Sequence, residues 1–132
     1  MINKTLETKS IKKKSINKTL LLLPTLNEVG TLKKLYNEIN KQNLDIDFLF
    51  IDDGSDDGTI NIINNLINSN PYNHFLINRK YRKGIGSAHI DGLEWAYSKN
   101  YNFLISMDTD YAHNPIYLKT IEKLKEEYDL VV

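Results

Sequence analysis

Apolar residues in this chain gather in short unbroken runs, separated by longer stretches in which they recur every three or four positions. The runs at 18–24 (KTLLLLP), 47–52 (DFLFID), 74–78 (HFLIN) and 101–108 (YNFLISMD) have the length of strands. Their lack of alternation suits a sheet covered on both faces. Pro24 is expected to stop the first, and 101–108 to be a central strand. Between them, Val29, Leu32, Leu35, Tyr36 and Ile39 predict a helix over 27–42, and Ile60, Ile63 and Ile67 one over 57–69. Over 84–98, Ala88, Gly92 and Ala96 line one helical face beside the larger Leu93 and Tyr97, the small residues permitting close approach to a sheet. Pro115 opens a fourth helix over 115–128, with Tyr117, Ile121, Leu124 and Tyr128 inward, and DLVV at 129–132 starts another strand. Strands alternating with helices predict an α/β fold with a mostly parallel sheet. Right-handed crossovers then bring the loops after residues 23, 52, 78 and 107 to one edge, where open sheets bind ligands.

Composition narrows the chemistry. The 132 residues suffice for one domain and one moderate core. With no cysteine, disulfides, thiolate metal ligands and cysteine nucleophiles are excluded. The apolar run at 20–23 is far too short to span a bilayer. The zero net charge conceals a division: residues 1–18 hold six Lys and one Glu, whereas residues 19–132 carry a net −5. The reading is a basic, flexible arm over 1–18 and a folded acidic body over 19–132. Such a body argues against nucleic acid as the ligand, and a polyanionic ligand would need a cation or a local basic patch.

Two acidic turns follow predicted strands. In FLFIDDGSDDGT, residues 48–59, Asp52 and Asp53 end a greasy run. Asp, Gly and Ser are turn and helix-cap residues, so one reading is a turn with Asp57 or Ser55 capping the next helix, and the other is a ligand site. MDTD at 107–110 repeats the placement. Asp108 and Asp110 offer hard oxygens for Mg2+ or Mn2+, which can bridge carboxylates to a diphosphate. In RKYRKGIG, Arg79, Arg82 and Lys83 are candidates to neutralise phosphates, Arg79 and Lys83 preferred, while Gly84 and Gly86 let amides approach an anion near a helix start. The same residues also read as a solvated loop. The third glycine of a dinucleotide fingerprint is missing, which argues against NAD.

Together LLLPTLNE (21–28), FLFIDDGSDDGT (48–59), RKYRKGIGSAHIDGLEWA (79–96) and MDTDYAHNP (107–115) resemble, in order and approximate spacing, the family 2 glycosyltransferases, and within them the dolichyl- or polyprenyl-phosphate mannosyl- and glucosyltransferases. The resemblance implies a three-layer α/β/α GT-A fold, incomplete at the carboxyl end, with 19–132 as its donor-binding part. It implies that Pro24, Thr25, Asn27 and Glu28 border the donor nucleotide, that Asp52 with Asp53 contacts base and ribose, and that Asp108 and Asp110 hold the metal-diphosphate and act in catalysis. Asp91 matches a recurrent acidic position, and His113 follows the metal motif, with Ala112 where the branch often has serine.

The implied activity is metal-dependent, inverting transfer of mannose or glucose from GDP-mannose or UDP-glucose to a lipid-linked phosphate. The implied location is cytoplasmic or peripheral on the cytoplasmic membrane face. A homodimer or a missing carboxyl-terminal half is a further expectation. The alternatives are a catalytically silent nucleotide-sugar binding module or an inactive fragment. A sugar-1-phosphate nucleotidyltransferase is disfavoured because residues 20–35 lack its glycine-rich basic loop.

Overall fold

The unbroken apolar runs become adjacent parallel strands. The structure, a computed structural model, describes residues 16–81, 83–110 and 113–124. In chain order it comprises β1 (Ile16–Thr25), α1 (Leu32–Asn40), β2 (Ile46–Asp52), α2 (Thr59–Ser69), β3 (His74–Asn78), α3 (Ile85–Ser98), β4 (Tyr101–Ser106) and a 3-10 turn (Pro115–Tyr117) running into α4 (Leu118–Leu124). The strand order is β3-β2-β1-β4, and every neighbouring pair is parallel. Alternate strand residues serve opposite faces. Leu21, Leu23, Phe48 and Phe50 pack with Leu32, Leu35 and Ile39 of α1, Ile63 of α2 and Leu118 of α4. Leu20, Leu22, Leu49 and Ile51 meet Ala88 and Ala96 of α3. The result is a sheet between helical layers, the α/β architecture expected.

Small residues let α3 lie close on the sheet. A methyl group added at Gly92 would come within 2.8 Å of Leu22 Cδ2 and 2.9 Å of Ile51 Cδ1, both on fully buried side chains. At the far end of α3, Trp95 packs against Phe75 with ring centroids 5.0 Å apart and stacks on Tyr101 at 6.1 Å. On the opposite face His74 is 3% exposed. Its ring lies 4.6 Å from Phe48, with Nδ1 at 2.8 Å from Asn73 Oδ1 and Nε2 at 2.7 Å from the Tyr36 hydroxyl. Those partners suit a neutral imidazole that donates from Nδ1 and accepts at Nε2. Burial pushes its pKa down to about 4, against the opposing pull of Asp47 and Asn73.

Several expectations are corrected. β1 does not stop before Pro24 but continues to Thr25, pairing Pro24 with Ile51 of β2. The proline is tolerated because the β4 ladder has already ended at Leu22 opposite Ser106, so its missing N–H removes no bond on that side. β4 is not central: among the described residues it lies at an edge, beside β1 alone. α1 starts at Leu32 rather than 27, because the Glu28 carbonyl takes the amides of Thr31 and Leu32 in a preceding turn. Val29 therefore stands 45% exposed, away from the core. The 3-10 start before α4 changes the helical phase, so Leu118 is buried and Tyr117 is 64% exposed. The basic arm expected over 1–18 is shorter than that, because residues 16–18 already belong to β1; its residues 1–15, Arg82, Tyr111, Ala112, Tyr128 and the strand at 129–132 lie outside the described residues.

Gly92→Val is expected to destabilise the fold by about 2 kcal/mol through overpacking, read as a lower urea midpoint at unchanged slope. His74 supplies a pH test. Between pH 6.5 and about 4 the unfolded chain takes up a proton that the folded imidazole resists. Its contribution is full above pH 6.5 and is lost as pH falls through that window, on the order of 3 kcal/mol in all. Stability measured by urea unfolding should thus fall less steeply across this range in His74→Gln than in the wild type, and parallel slopes would refute the assignment.

Candidate donor-binding site

Because the four strands are parallel, the segments leaving β1, β2, β3 and β4 emerge at one edge. Asp52 ends β2 fully buried. Its Oδ1 accepts from the hydroxyls of Thr25 (2.7 Å) and Ser55 (2.6 Å), and its Oδ2 from the amides of Gly54 (3.1 Å) and Ser55 (2.7 Å). Four donors stabilise a carboxylate that burial alone would disfavour. They also spend it: the Asp52 side chain folds its own turn and ties that turn to the end of β1. Asp57 makes the second half of the loop, accepting from the Thr59 amide and hydroxyl at the start of α2. The Thr59 hydrogen bond is the main cause that lowers its pKa. Gly58, between them, has φ +100°, a conformation costly for any residue with a Cβ.

Asp53 faces the other way. Its Oδ1 accepts from the Lys83 amide at 2.8 Å and its Oδ2 from the Gly84 amide at 3.0 Å, which closes the 79–84 segment onto β2. Arg79 lies behind this contact, its side chain 1% exposed. Its Nη1 donates to the Gly84 carbonyl (3.3 Å) and its Nη2 to the Ser87 hydroxyl (2.5 Å). Asp53 Oδ1 stands 3.7 Å from Nη1 and Asp91 Oδ2 3.4 Å from Nε. The Lys83 side chain is exposed.

The first loop is laced to the second. The Asn27 amide donates to Ser55 Oγ and its Oδ1 accepts from the Asp56 amide, while the amides of Glu28 and Val29 donate to Thr59 and Asp57. Thr109 does similar work for the fourth loop. Its hydroxyl donates to the Pro24 carbonyl (2.9 Å), and its own carbonyl accepts from Thr31 Oγ1 (3.0 Å). The residue between the two aspartates is thus buried and anchored, leaving Asp108 and Asp110 on either side of it. The Asp108 amide donates to His113 Nδ1 at 3.1 Å, so this exposed histidine orients the loop.

These loops enclose a cleft of about 240 Å³. Of the residues singled out from sequence, Pro24, Thr25, Glu28, Asp53, Gly84, Asp108 and Asp110 line it. Asn27, Asp52, Arg79 and Lys83 are outside the lining. Sequence reasoning missed Ile85 and Ala88, the apolar wall from α3, and Thr109, the anchor. Only the place of Thr109 between two strand-end aspartates hinted at its role. Burial and then the negative charge of Asp110 hold the Glu28 pKa above the ordinary carboxylate range. Among the described residues four carboxylates and no Lys or Arg line the cleft, a setting that favours a cation. Among the described residues no three His, Cys, Asp or Glu form a metal cage. Asp108 and Asp110 would be the residues to offer carboxylate oxygens to a hard divalent ion, of the kind that Mg2+ binding through one or two carboxylates requires.

Residues 21–132 match the model of Glycosyl transferase family 2. The chain is 31% identical over 98 residues to polyprenol monophosphomannose synthase of Mycolicibacterium smegmatis, covering 74% of this chain and 37% of that protein. It is 30% identical over 115 residues to undecaprenyl-phosphate mannosyltransferase of Micrococcus luteus, covering 87% and 47%. It thus spans less than half the length of either relative. In fold it is similar to S. aureus TarS 1-349, with TM-score 0.65 and 22% identity over 83% of this chain and 32% of that one. It is also similar to a mannosyltransferase of Pyrobaculum calidifontis solved with GDP-Man and Mn2+, with TM-score 0.53 and 20% identity over 69% and 30%. Among the described residues no helix is long and apolar enough to cross a membrane. The family match covers most of the chain and the sheet with its edge cleft agrees with it: the chain belongs to glycosyl transferase family 2.

Proposed function

We propose that this chain binds a nucleoside-diphosphate sugar in the cleft and serves as the donor-binding part of an inverting glycosyltransferase whose acceptor is a lipid-linked phosphate. The observation that carries the reading is the convergence of Asp53 from the end of β2 with Asp108 and Asp110 from the end of β4 on one cleft at the carboxyl edge of the sheet. Asp108 and Asp110 are the residues to hold a divalent cation, which when bound offsets the charge developing on the departing diphosphate. Pro24, Thr25 and Glu28 line the same cleft. Asp52 contributes by holding the turn that aims Asp53, and Asn27 by tying the two loops together.

The phosphates belong near Gly84, a lining residue where the first amides of α3 lack intrahelical partners. A pocket for a whole small ligand usually runs to about 300–1,000 Å³. The 240 Å³ here suits part of a nucleotide sugar. GDP-mannose is favoured over UDP-glucose by the names of the two curated relatives, both of which transfer or attach mannose, and by the GDP-Man in the Pyrobaculum structure. Those relatives' names also motivate the acceptor, since both specify a polyprenyl-type phosphate. An ionised phosphate is already nucleophilic, so positioning it opposite the leaving diphosphate matters more than a strong general base.

Calorimetric titration of the chain with GDP-mannose and with UDP-glucose, first with Mn2+ and then after chelation, tests the reading. Metal-dependent binding is expected, weakened at least about tenfold in Asp108→Asn and Asp110→Asn and unchanged in Asp56→Ala, whose side chain is exposed outside the cleft. A folded chain that binds neither donor would overturn it. Incorporation of labelled sugar into a polyprenyl phosphate would then separate a transferase from a silent binding module.

A further inference from the structure

Among the described residues Arg79 is the one buried Lys or Arg. Burying a guanidinium is costly unless its charge is matched, and this one sits between two carboxylates. Asp91, the outer partner, is 39% exposed and opens to solvent. Asp53, the inner partner, is a wall of the cleft. The other acidic lining residues are Glu28, Asp108 and Asp110, and among the described residues the lining contains no Lys or Arg. A diphosphate entering such a cleft meets repulsion from its carboxylates, and a cation held beside one of them lowers it.

We propose that Arg79 is a positioning residue that acts through Asp53: it supplies the buried counter-charge that lets an anionic diphosphate approach the acidic cleft, and it holds Gly84 and Ser87 at the start of α3 against that wall. The inference rests on the donor reading above for its ligand, but the charge balance is a property of this chain's own residues. Arg79 itself stays behind the wall and touches no donor atom. Its fork is suited to this place because Nη1 faces Gly84 and Asp53, Nη2 reaches Ser87 and Nε faces Asp91 at once.

The sign of the response distinguishes charge balance from a structural prop. In Arg79→Met the cleft becomes more negative, so Mn2+, counted by electron paramagnetic resonance without nucleotide, should bind about two- to tenfold more tightly. GDP or UDP, titrated at saturating Mn2+, should bind more weakly by a similar factor. Arg79→Lys should restore both toward wild type. Asp91→Asn, altered at a half-exposed position and expected to fold even if Arg79→Met does not, should shift both the other way, with weaker Mn2+ and tighter nucleoside diphosphate. Loss of both ligands together in a variant that melts like wild type would mean that Arg79 only props the loop, and no change in either would mean that it is electrostatically silent. Either result overturns the proposal. If wild-type chain binds no nucleoside diphosphate, the donor reading fails on its own, and the Mn2+ shifts still decide the role of Arg79.

Discussion

Two adjacent carboxylates at the end of a buried strand impose the constraint on which the site is built. Successive strand residues face opposite sides of the sheet, so Asp52 and Asp53 must be satisfied separately. Asp52 turns toward Thr25 and gathers the donors of its own turn. Asp53 turns toward the segment after β3 and gathers the amides of Lys83 and Gly84. One pair of side chains thereby fixes the exits of three strands relative to one another. The cleft is the space left where these exits meet the anchored loop of Asp108 and Asp110.

The same pair shows how a site can be rigid and acidic at once. Asp53, Asp108 and Asp110, which line the cleft, each stand beside a carboxylate or a hydroxyl spent on scaffolding: Asp52 supports Asp53, and Thr109 supports Asp108 and Asp110. Such support spares the loops the entropy of ordering when a ligand arrives. It also gathers carboxylates at the cleft, where burial and the proximity of Asp110 raise the pKa of Glu28.

Much of this was legible in the residues. The apolar runs and the three- and four-residue spacings located every described strand and helix, because parallel strands and amphipathic helices bury such patterns directly. Ala88, Gly92 and Ala96 announced the close contact of α3, and the acidic turns marked the correct sheet edge. What stayed hidden was the direction of side chains and the number of neighbours. The run in β4 is as apolar as those in β1 and β2, and nothing in it says that it pairs on one side among the described residues. A loop aspartate reads alike whether it meets solvent or its own amides, so Asp52 and Asp53 were indistinguishable. Arg79 looked like any cation in a glycine-containing loop, since its burial depends on Asp91, twelve residues away and one helical turn beyond Ser87. The displacement of Tyr117 by Leu118 came from a single tightened turn that no spacing rule contains.

Trp95, the only tryptophan in the chain, stacks among Phe75, Tyr101 and Lys99 at the end of α3 remote from Gly84. Its indole is therefore a natural optical probe of whether α3 remains seated across the edges of the sheet. It is poorly placed to sense what enters the cleft at the other end of that helix. Intrinsic emission will follow the integrity of the scaffold, and a dye or an isotope is needed to follow occupancy. The separation is useful, because loss of ligand and loss of fold then register in two independent signals from one molecule.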